Sequence, residues 1–187
     1  MLYQTGTRQM KPYVPIIVDV EASGFGSLSY PVEIGLALPN GERYCSLIAP
    51  DPTWIHWDPK AEALHGLSRD KLITNGKSPK EVCQSLNALL KGETLYSDGW
   101  TVDYPWIRTL FQAGREDITF RVSALEMVLK EEDFLSWDKT KAMVREKIGA
   151  GRHRASWDAR VIQETFLELQ SQKKKVGFAP TENTFVD

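Results

Sequence analysis

The stretch that decides the fold is VPIIVDVEASG, residues 14–24. Residues 14–20 form a short apolar run rich in β-branched residues, which predicts a buried, central strand. Asp19 and Glu21 stand two apart at its carboxyl end, so both carboxylates point to one face. Open α/β sheets place ligand sites at this end of a strand. Solvated acids at a strand end are the alternative, but adjacent like charges raise each other's pKa unless a cation lies between them.

The rest of the chain alternates strands and helices around this strand. A hairpin is predicted at 32–49, where Asn40-Gly41 favours a tight turn, and further strands are predicted at 93–97 and 117–122. Helices are predicted at 61–66, 68–74, 78–90, 103–113, 123–130, 137–148 and 156–170. This order predicts an α/β fold in which helices flank a central mixed five-stranded sheet.

Length and composition restrict the class of protein. The 187 residues, 42% hydrophobic and 26% charged, fit one globular domain over 1–187, with a core at about 12–172 and terminal extensions at 1–11 and 176–187. Met10 is an alternative natural start to Met1. No run approaches the ~18 apolar residues of a membrane span, and the N-terminus lacks the apolar segment of a secretory signal. We therefore expect a cytoplasmic protein with no membrane partner.

Charge and cysteine content exclude several kinds of site. The net charge of −2 provides no basic field typical of a passive nucleic-acid binder. Cys45 and Cys83 lie on segments predicted as buried strand and helix, outside any Cys-x-x-Cys pair or Cys/His cluster, which argues against thiolate zinc and a disulfide scaffold. His56 and His65 are interpreted as incidental loop histidines.

Two further acids gain interest from a neighbouring histidine. Asp103 opens the predicted helix after the fourth strand, and Asp158 lies in the first turn of the last helix. Each is explained singly as an acid that complements a helix N-terminus. His153 changes this interpretation, because it lies five residues before Asp158 in a loop whose glycines at 149 and 151 allow movement.

Three segments together resemble a known family. They read VDVEASG at 18–24, SDGWTVDYPWI at 97–107 and HRASWDA at 153–159. These segments are similar to the three motifs of the DEDDh, or DnaQ-like, 3′→5′ exonucleases. The similarity spans about residues 14–170 and extends to the connecting segments PVEIGLAL and AEALHGLSRDKL.

The resemblance implies an RNase H-like fold and a set of site residues. Asp19, Glu21, Asp103 and Asp158 would be the carboxylate ligands of two divalent ions, and His153 the general base. Hard oxygen ligands select Mg²⁺ or Mn²⁺. Four carboxylates balance two such ions, and a neutral histidine in a mobile loop can take the proton of the attacking water.

The middle motif departs from the family pattern. Members often have an Asn four residues before the acid, where this chain has Gly99 beside Asp98. Asp98 therefore competes with Asp103 for the role. Asp103 is favoured, because Asp-x-x-Trp-Ile matches the helix after the family's acid and Ser97-Asp98-Gly99 is typical of a turn.

Candidate substrate contacts surround these acids. Residues 23–27, which begin Ser23-Gly24-Phe25, offer backbone amides to a terminal sugar and phosphate, and Phe25 is either a stacking face for a base or a core residue. Trp100 and Trp157 are of interest as neighbours of the acids. Arg154, together with Arg152, is either a phosphate contact or a solvated loop arginine.

The function implied by the resemblance is a metal-dependent 3′→5′ exonuclease acting on 3′ ends of single-stranded DNA or RNA and releasing nucleoside 5′-monophosphates. One alternative is an RNA-trimming or short-oligonucleotide exoribonuclease with the same site. An alternative of another class is a catalytically inert binding module. A homodimer is also open, because some family members are dimers and the Trp-rich segment 54–57 could contribute to an interface.

Overall fold

The computed structural model describes residues 13–149 and 153–176, with side chains through Lys173. Its centre is a five-stranded sheet in the order β3-β2-β1-β4-β5. β1 pairs antiparallel with β2 and parallel with β4, β2 pairs antiparallel with β3, and β4 pairs parallel with β5. The predicted mixed sheet is therefore confirmed. The strands are β1 Ile16–Ala22, β2 Pro31–Ala37, β3 Arg43–Leu47, β4 Thr94–Ser97 and β5 Arg121–Ala124.

Helices cover both faces of the sheet. The described helices are α1 Pro59–His65, α2 Arg69–Asn75, α3 Pro79–Leu90, α4 Trp100–Gly114, α5 Glu131–Phe134, α6 Trp137–Ile148 and α7 Ala155–Val176, with a 3₁₀ turn at Leu125–Val128. The start of α3 is a capping box between Ser78 and Glu81, as the sequence predicts. None of the described helices is long and apolar enough to cross a membrane.

Alternation along β1 decides which face carries the acids. Val18 and Val20 are buried in a cluster with side chains of α3 and α4, whereas Ile17 packs with Ala159 and Ile162 of α7. Because side chains alternate along a strand, Asp19 and Glu21 share the face of Ile17. The two acids therefore point to the side of the sheet that α7 covers.

Three predicted elements between β4 and α5 differ from the structure. The fifth strand covers 121–124, and the helix predicted at 123–130 is wrong, because Ser123 and Ala124 pair with Tyr96 and Ser97 of β4. Their pairing with a distant strand overrides local helix preference. α4 begins at Trp100, three residues before the predicted start, since the carbonyl of Gly99 already accepts the amide of Asp103 at 3.0 Å.

The two ends of the chain and one strand also differ from expectation. α7 continues to Val176, beyond the predicted end at 170. The predicted extensions at 1–11 and, after Val176, at 177–187 lie outside the described residues, as does Met10. Cys45 is exposed rather than buried, because it lies on the outermost strand β3, while Cys83 is buried as predicted.

The segment 54–57 turns its tryptophans toward the protein. Trp54 stacks on Tyr30 with ring centroids 4.9 Å apart, and the indole of Trp57 donates to Glu62 Oε2 at 2.6 Å. Ile55 is the exposed residue of this segment, at 82%. A homodimer through this segment stays a prediction.

Candidate active site

Three of the predicted acids meet at one point beside the sheet. Asp19 and Glu21 come from β1, and Asp158 comes from the first turn of α7. Each offers one carboxylate oxygen, and these oxygens all lie within 4.8 Å of one another. Oδ2 of Asp158 is buried and makes no hydrogen bond with any described residue. This oxygen set fits a hard divalent cation, which would supply the missing partner.

Asp103 lies near these three acids but is held differently. Its side chain is buried, with 4% exposed, and Oδ2 accepts a hydrogen bond from the hydroxyl of Ser97. That hydroxyl oxygen accepts in turn from the amide of Gly99 at 2.9 Å. Among the described residues, the oxygens that lie within 4.8 Å of one another belong to Asp19, Glu21 and Asp158, and none belongs to Asp103. Asp103 therefore lies next to this cluster of three acids but is not part of it.

Burial and crowding raise the pKa of these acids. Burial, followed by repulsion from Asp103 and Glu21, raises the pKa of Asp19 well above its usual range. Burial, then the charge of Asp158, raises the pKa of Glu21 to about 7. Burial likewise raises the pKa of Asp103 to about 7 and that of Asp158 above its ordinary value. The site holds more negative charge than its surroundings neutralise, which favours cation binding.

Helix α6 supplies two cations to this acidic region. Arg145 Nη2 donates to Oδ1 of Asp158 at 2.7 Å, and its guanidinium lies 5.2 Å from the ring centroid of Trp157. Lys141 forms an ion pair with Asp98. Asp98 follows β4 in a turn, as predicted, and lines a different cavity from the one that contains Asp103. Asp98 therefore faces a different cavity, while its charge still contributes to the raised pKa of Asp19 and Asp103.

His153 stands next to the cluster. Its side chain is 43% exposed, and Nδ1 lies 3.9 Å from Oδ2 of Asp158. Residues 150–152 of the same loop, including Arg152, lie outside the described residues. An exposed imidazole at this distance from the buried oxygen is positioned at the border between the acids and solvent.

A cavity of about 420 Å³ opens beside the acids. Asp19, Glu21 and Asp103 line it, together with apolar side chains that include Phe25, Leu64, Val102 and Trp106. A cavity of this size, with an apolar wall and a few convergent polar groups, is typical of a small-ligand site. The apolar wall can hold a ring system, and the carboxylates beside it can bind a cation.

Phe25 forms an exposed wall of this cavity. Its side chain is 76% exposed, and its ring centroid lies 6.1 Å from that of Trp106. The alternative of a core residue is therefore wrong. Gly24 beside it has φ +138°, and a Cβ there would lie 2.7 Å from Cβ of Asp58 and 2.8 Å from Cε1 of His56. Only glycine fits this position.

Ser23 shapes the loop instead of facing the cavity. It is 1% exposed, and its amide donates to the Tyr30 carbonyl at 2.9 Å. Its hydroxyl oxygen accepts from the Tyr30 amide at 3.1 Å and lies 3.0 Å from Nδ1 of His56. The Ser23 amide is therefore engaged within the loop and does not offer the backbone contact that the sequence predicts. His56 is likewise part of the structure of this loop, not incidental.

Two other predicted substrate residues are engaged elsewhere. The indole of Trp100 donates to the carbonyl of Val122 at 3.2 Å, and its ring stacks on Tyr104 at 5.6 Å. Trp100 does not line the cavity of the acids. Arg154 is paired with the buried carboxylate of Glu33 on β2 and does not line the cavity of the acids.

His65 is a cavity residue that the sequence interpretation missed. It ends α1, is 2% exposed, and lines the cavity together with the acids. Nδ1 accepts the amide of Leu67 at 3.0 Å, and burial lowers the pKa of the imidazole. The available signal was Gly66, a residue typical of a helix end, which adopts a left-handed φ of 68° directly after His65.

Comparison with known proteins identifies the fold. No protein-family model and no curated protein matches the chain. Among solved structures, Escherichia coli exonuclease I in complex with a 5cy-dT13 oligonucleotide superposes with a TM-score of 0.66 and 12% identity over 89% of this chain and 42% of that one.

Two further exonuclease I structures agree. The enzyme from Methylocaldum szegediense has a TM-score of 0.66 and 13% identity over 86% of this chain and 41% of that one. The zinc-bound form of an Escherichia coli exonuclease I–single-stranded DNA complex has a TM-score of 0.63 and 12% identity over 88% and 42%. The chain spans less than half the length of these proteins. Its fold is that of the exonuclease I structures, an RNase H-like α/β fold with a mixed five-stranded sheet.

Proposed function

We propose that this protein is a metal-dependent 3′→5′ exonuclease that hydrolyses the terminal phosphodiester bond of single-stranded DNA or RNA and releases nucleoside 5′-monophosphates. The observation that carries the proposal is the convergence of Asp19, Glu21 and Asp158 within 4.8 Å beside a cavity of about 420 Å³. Exonuclease I structures of the same fold hold single-stranded oligonucleotides. We take residues 1–187 as one exonuclease domain.

The donor set accounts for the metal requirement. Asp19, Glu21 and Asp158 would hold Mg²⁺ or Mn²⁺ through carboxylate oxygens, with Asp103 as the fourth candidate ligand. Two bound divalent ions would stabilise the charge on the attacking and leaving oxygens of the phosphodiester. Oδ2 of Asp158, which makes no hydrogen bond with the described residues, supports this assignment.

His153 is assigned to proton transfer. An imidazole that is neutral can accept the proton of the attacking water, and general-base catalysis needs that group beside the reacting atoms. The exposed ring of His153, 3.9 Å from Asp158, supports this role. Its position at the solvent border also lets the accepted proton leave to water.

The apolar part of the cavity is assigned to the terminal base. Phe25 offers a ring face that is mostly exposed, and Trp106 closes the wall behind it. Aromatic stacking is tolerant of base identity, because each base has a π-face. This arrangement supports an enzyme that unstacks and removes nucleotides without sequence preference.

Digestion of 5′-labelled substrates tests the proposal. Single- and double-stranded DNA and RNA are incubated with Mg²⁺, Mn²⁺ or EDTA, with Asp19→Asn as the matched control. We expect single strands to shorten stepwise from the 3′ end only with metal and only in the wild type. Shortening of RNA alone would favour the exoribonuclease, and no shortening of any strand would favour the inert binding module.

A further inference from the structure

We propose that Glu33 and Arg154 form a latch that seats the first turn of α7 against the sheet and thereby positions Asp158 as a metal ligand. The latch consists of the two side chains and the amide of Ala155. This inference rests on the proposed metal site and adds two positioning residues to it. It also replaces the substrate contact that the sequence predicts for Arg154.

Glu33 is a buried carboxylate, and both of its oxygens accept hydrogen bonds. It lies on β2 with 0% exposure, directly opposite Glu21 in the β1–β2 pair. Oε1 accepts from Arg154 Nε at 2.9 Å, from Arg154 Nη2 and from Cys45 Sγ at 3.2 Å. Oε2 accepts from Arg154 Nε at 3.0 Å and from the Ala155 amide at 2.9 Å. A buried charge of this kind requires such partners.

The Ala155 amide connects the latch to the helix that carries Asp158. Ala155 is the first residue of α7, and the first amides of a helix have no partner within the helix. Glu33 therefore caps α7 from a strand 122 residues away in sequence. A carboxylate at a helix N-terminus also suits the helix dipole. The first turn is thus held at a defined place on β2.

A close backbone contact on the same strand also fixes the position of α7. Gly35 lies two residues after Glu33 and is the Cα partner of Asp19 on β1. A Cβ at Gly35 would overlap the backbone amide of Ser156. The first turn of α7 therefore rests directly on the strand next to the two β1 acids. Glu33 and Gly35 together determine how far Asp158 lies from Asp19 and Glu21.

The contact with Glu33 fixes the orientation of the Arg154 guanidinium. Two guanidinium nitrogens, Nε and Nη2, are bound to Glu33, and a planar fork paired with one carboxylate is held in a single orientation. The side chain is 37% exposed, so the pair is shielded on the side of Glu33 and open on the other. Arg154 also follows His153 directly, so the latch anchors the end of the loop that carries the proposed base.

Metal affinity in the absence of substrate separates this role from a phosphate contact. Mn²⁺ dissociation constants are measured by electron paramagnetic resonance for the wild type, Glu33→Gln, Arg154→Gln and the double variant. Loss of a partner that orients a metal ligand lowers metal affinity about 10- to 100-fold. We expect each single variant to show this loss, and the double variant to lose no more than the worse single variant, because the two residues act as one unit.

Controls separate the latch from general effects of charge and folding. Arg160→Gln removes an exposed cation from the same helix and should leave Mn²⁺ affinity unchanged. Far-UV circular dichroism checks that each variant is folded at the temperature of the measurement. Arg154→Gln leaves Glu33 as a buried charge without its partner and for that reason can fail to fold. In that case the test uses the double variant, whose side chains are neutral and can still form hydrogen bonds, and Arg154→Lys. Lysine cannot form the two-pronged contact, so we expect it to bind Mn²⁺ more weakly than the wild type.

Two results would overturn the inference. Folded variants that bind Mn²⁺ as tightly as the wild type would show that the pair does not position Asp158. An increase of the oligonucleotide KM in Arg154→Gln, with Mn²⁺ affinity unchanged, would restore Arg154 as a phosphate contact. A wild type that does not bind Mn²⁺ would instead refute the proposed function itself, together with the latch.

Discussion

Arg145 holds one oxygen of Asp158 and leaves the other to the acidic cluster. Nη2 of Arg145 donates to Oδ1 at 2.7 Å, while Oδ2 is buried and makes no hydrogen bond with the described residues. A cation can therefore take Oδ2 without displacing the guanidinium. Arg145 of α6 therefore orients the carboxylate from one side, and Oδ2 remains available, together with the β1 acids, to bind a cation. This arrangement supports the proposed roles of Asp158 as a metal ligand and of His153 in proton transfer.

Substitution of His153 and of Asp158 should have different effects. His153→Ala should lower turnover about 10²- to 10⁴-fold, the range typical of general-base loss, with Mn²⁺ affinity nearly intact. Asp158→Asn should weaken both Mn²⁺ binding and turnover, because a ligand charge is lost. Single-turnover assays and Mn²⁺ titrations measure the two properties separately.

Two outcomes would contradict the role proposed for His153. Loss of Mn²⁺ binding in His153→Ala would make the residue a metal ligand. Full turnover in that variant would remove it from the mechanism.

The crowded carboxylates predict an unusual pH dependence of stability without metal. The pKa of Glu21 is raised from 4.5 to about 7, and that of Asp103 from 3.8 to about 7. Each group then binds more protons in the folded than in the unfolded state within that interval. Its contribution to the free energy of unfolding therefore falls as pH rises from about 4 to about 7 and is fully lost above 7. Urea unfolding in EDTA at pH 5 and pH 8 measures this fall.

Glu21→Gln is the matched control for this pH effect. The variant keeps the shape of the side chain and removes one titrating group, so it should be less sensitive to pH and more stable than the wild type at pH 8. An equal pH dependence in both proteins would mean that folding does not raise the pKa of Glu21.

Bound Mn²⁺ should stabilise the folded protein. At a metal concentration 100 times its dissociation constant, binding to the folded state adds about 2.7 kcal/mol to the free energy of unfolding. The thermal midpoint at pH 8 should therefore rise with Mn²⁺ in the wild type and not in Asp19→Ala. The same rise in both proteins would place the metal elsewhere.

Phe25→Ala should weaken substrate binding and leave the fold intact. Stacking of a base on an aromatic ring contributes about 1–3 kcal/mol, and a side chain that is 76% exposed contributes little to the core. The oligonucleotide dissociation constant with Ca²⁺ in place of Mg²⁺ measures the loss, and thermal unfolding measures the fold. Leu135→Ala, at a 92% exposed residue outside the cavity, is the control and should change neither.

Gly35→Ala should disturb the site through the backbone. The added Cβ would overlap the amide of Ser156, and neither backbone can yield without moving the start of α7. Overpacking of this kind costs about 1–3 kcal/mol or more. Thermal unfolding should show the loss, and Mn²⁺ affinity should fall as Asp158 moves. Unchanged values would mean that the helix adapts without consequence for the acids.

Local patterns predicted the elements that depend on local chemistry. The apolar run of β1 and its alternation place Asp19 and Glu21 on one face, and the capping box at Ser78 begins α3 as predicted. These features depend on residues that are close in sequence. The mixed five-stranded sheet follows from the order of such elements.

Long-range contacts account for what the sequence did not predict. Ser123 and Ala124 form a strand because of their pairing with β4. The partner of Arg154 is Glu33, which lies 121 residues earlier in the chain. His65 is buried and lines the cavity of the β1 acids, which lie far earlier in the chain. No periodicity or spacing within one segment contains this information.

Release of a 3′-terminal label is the most direct test of the proposed activity. Single-stranded DNA labelled on its last nucleotide is mixed with the wild type or Glu21→Gln, and the initial rate of mononucleotide release is measured against Mn²⁺ concentration. The wild type should release the labelled 5′-monophosphate first, at a rate that saturates with Mn²⁺ and is abolished by EDTA, and Glu21→Gln should release it far more slowly. Release in EDTA, equal rates in both proteins, or internal fragments before the terminal nucleotide would contradict a metal-dependent 3′→5′ exonuclease.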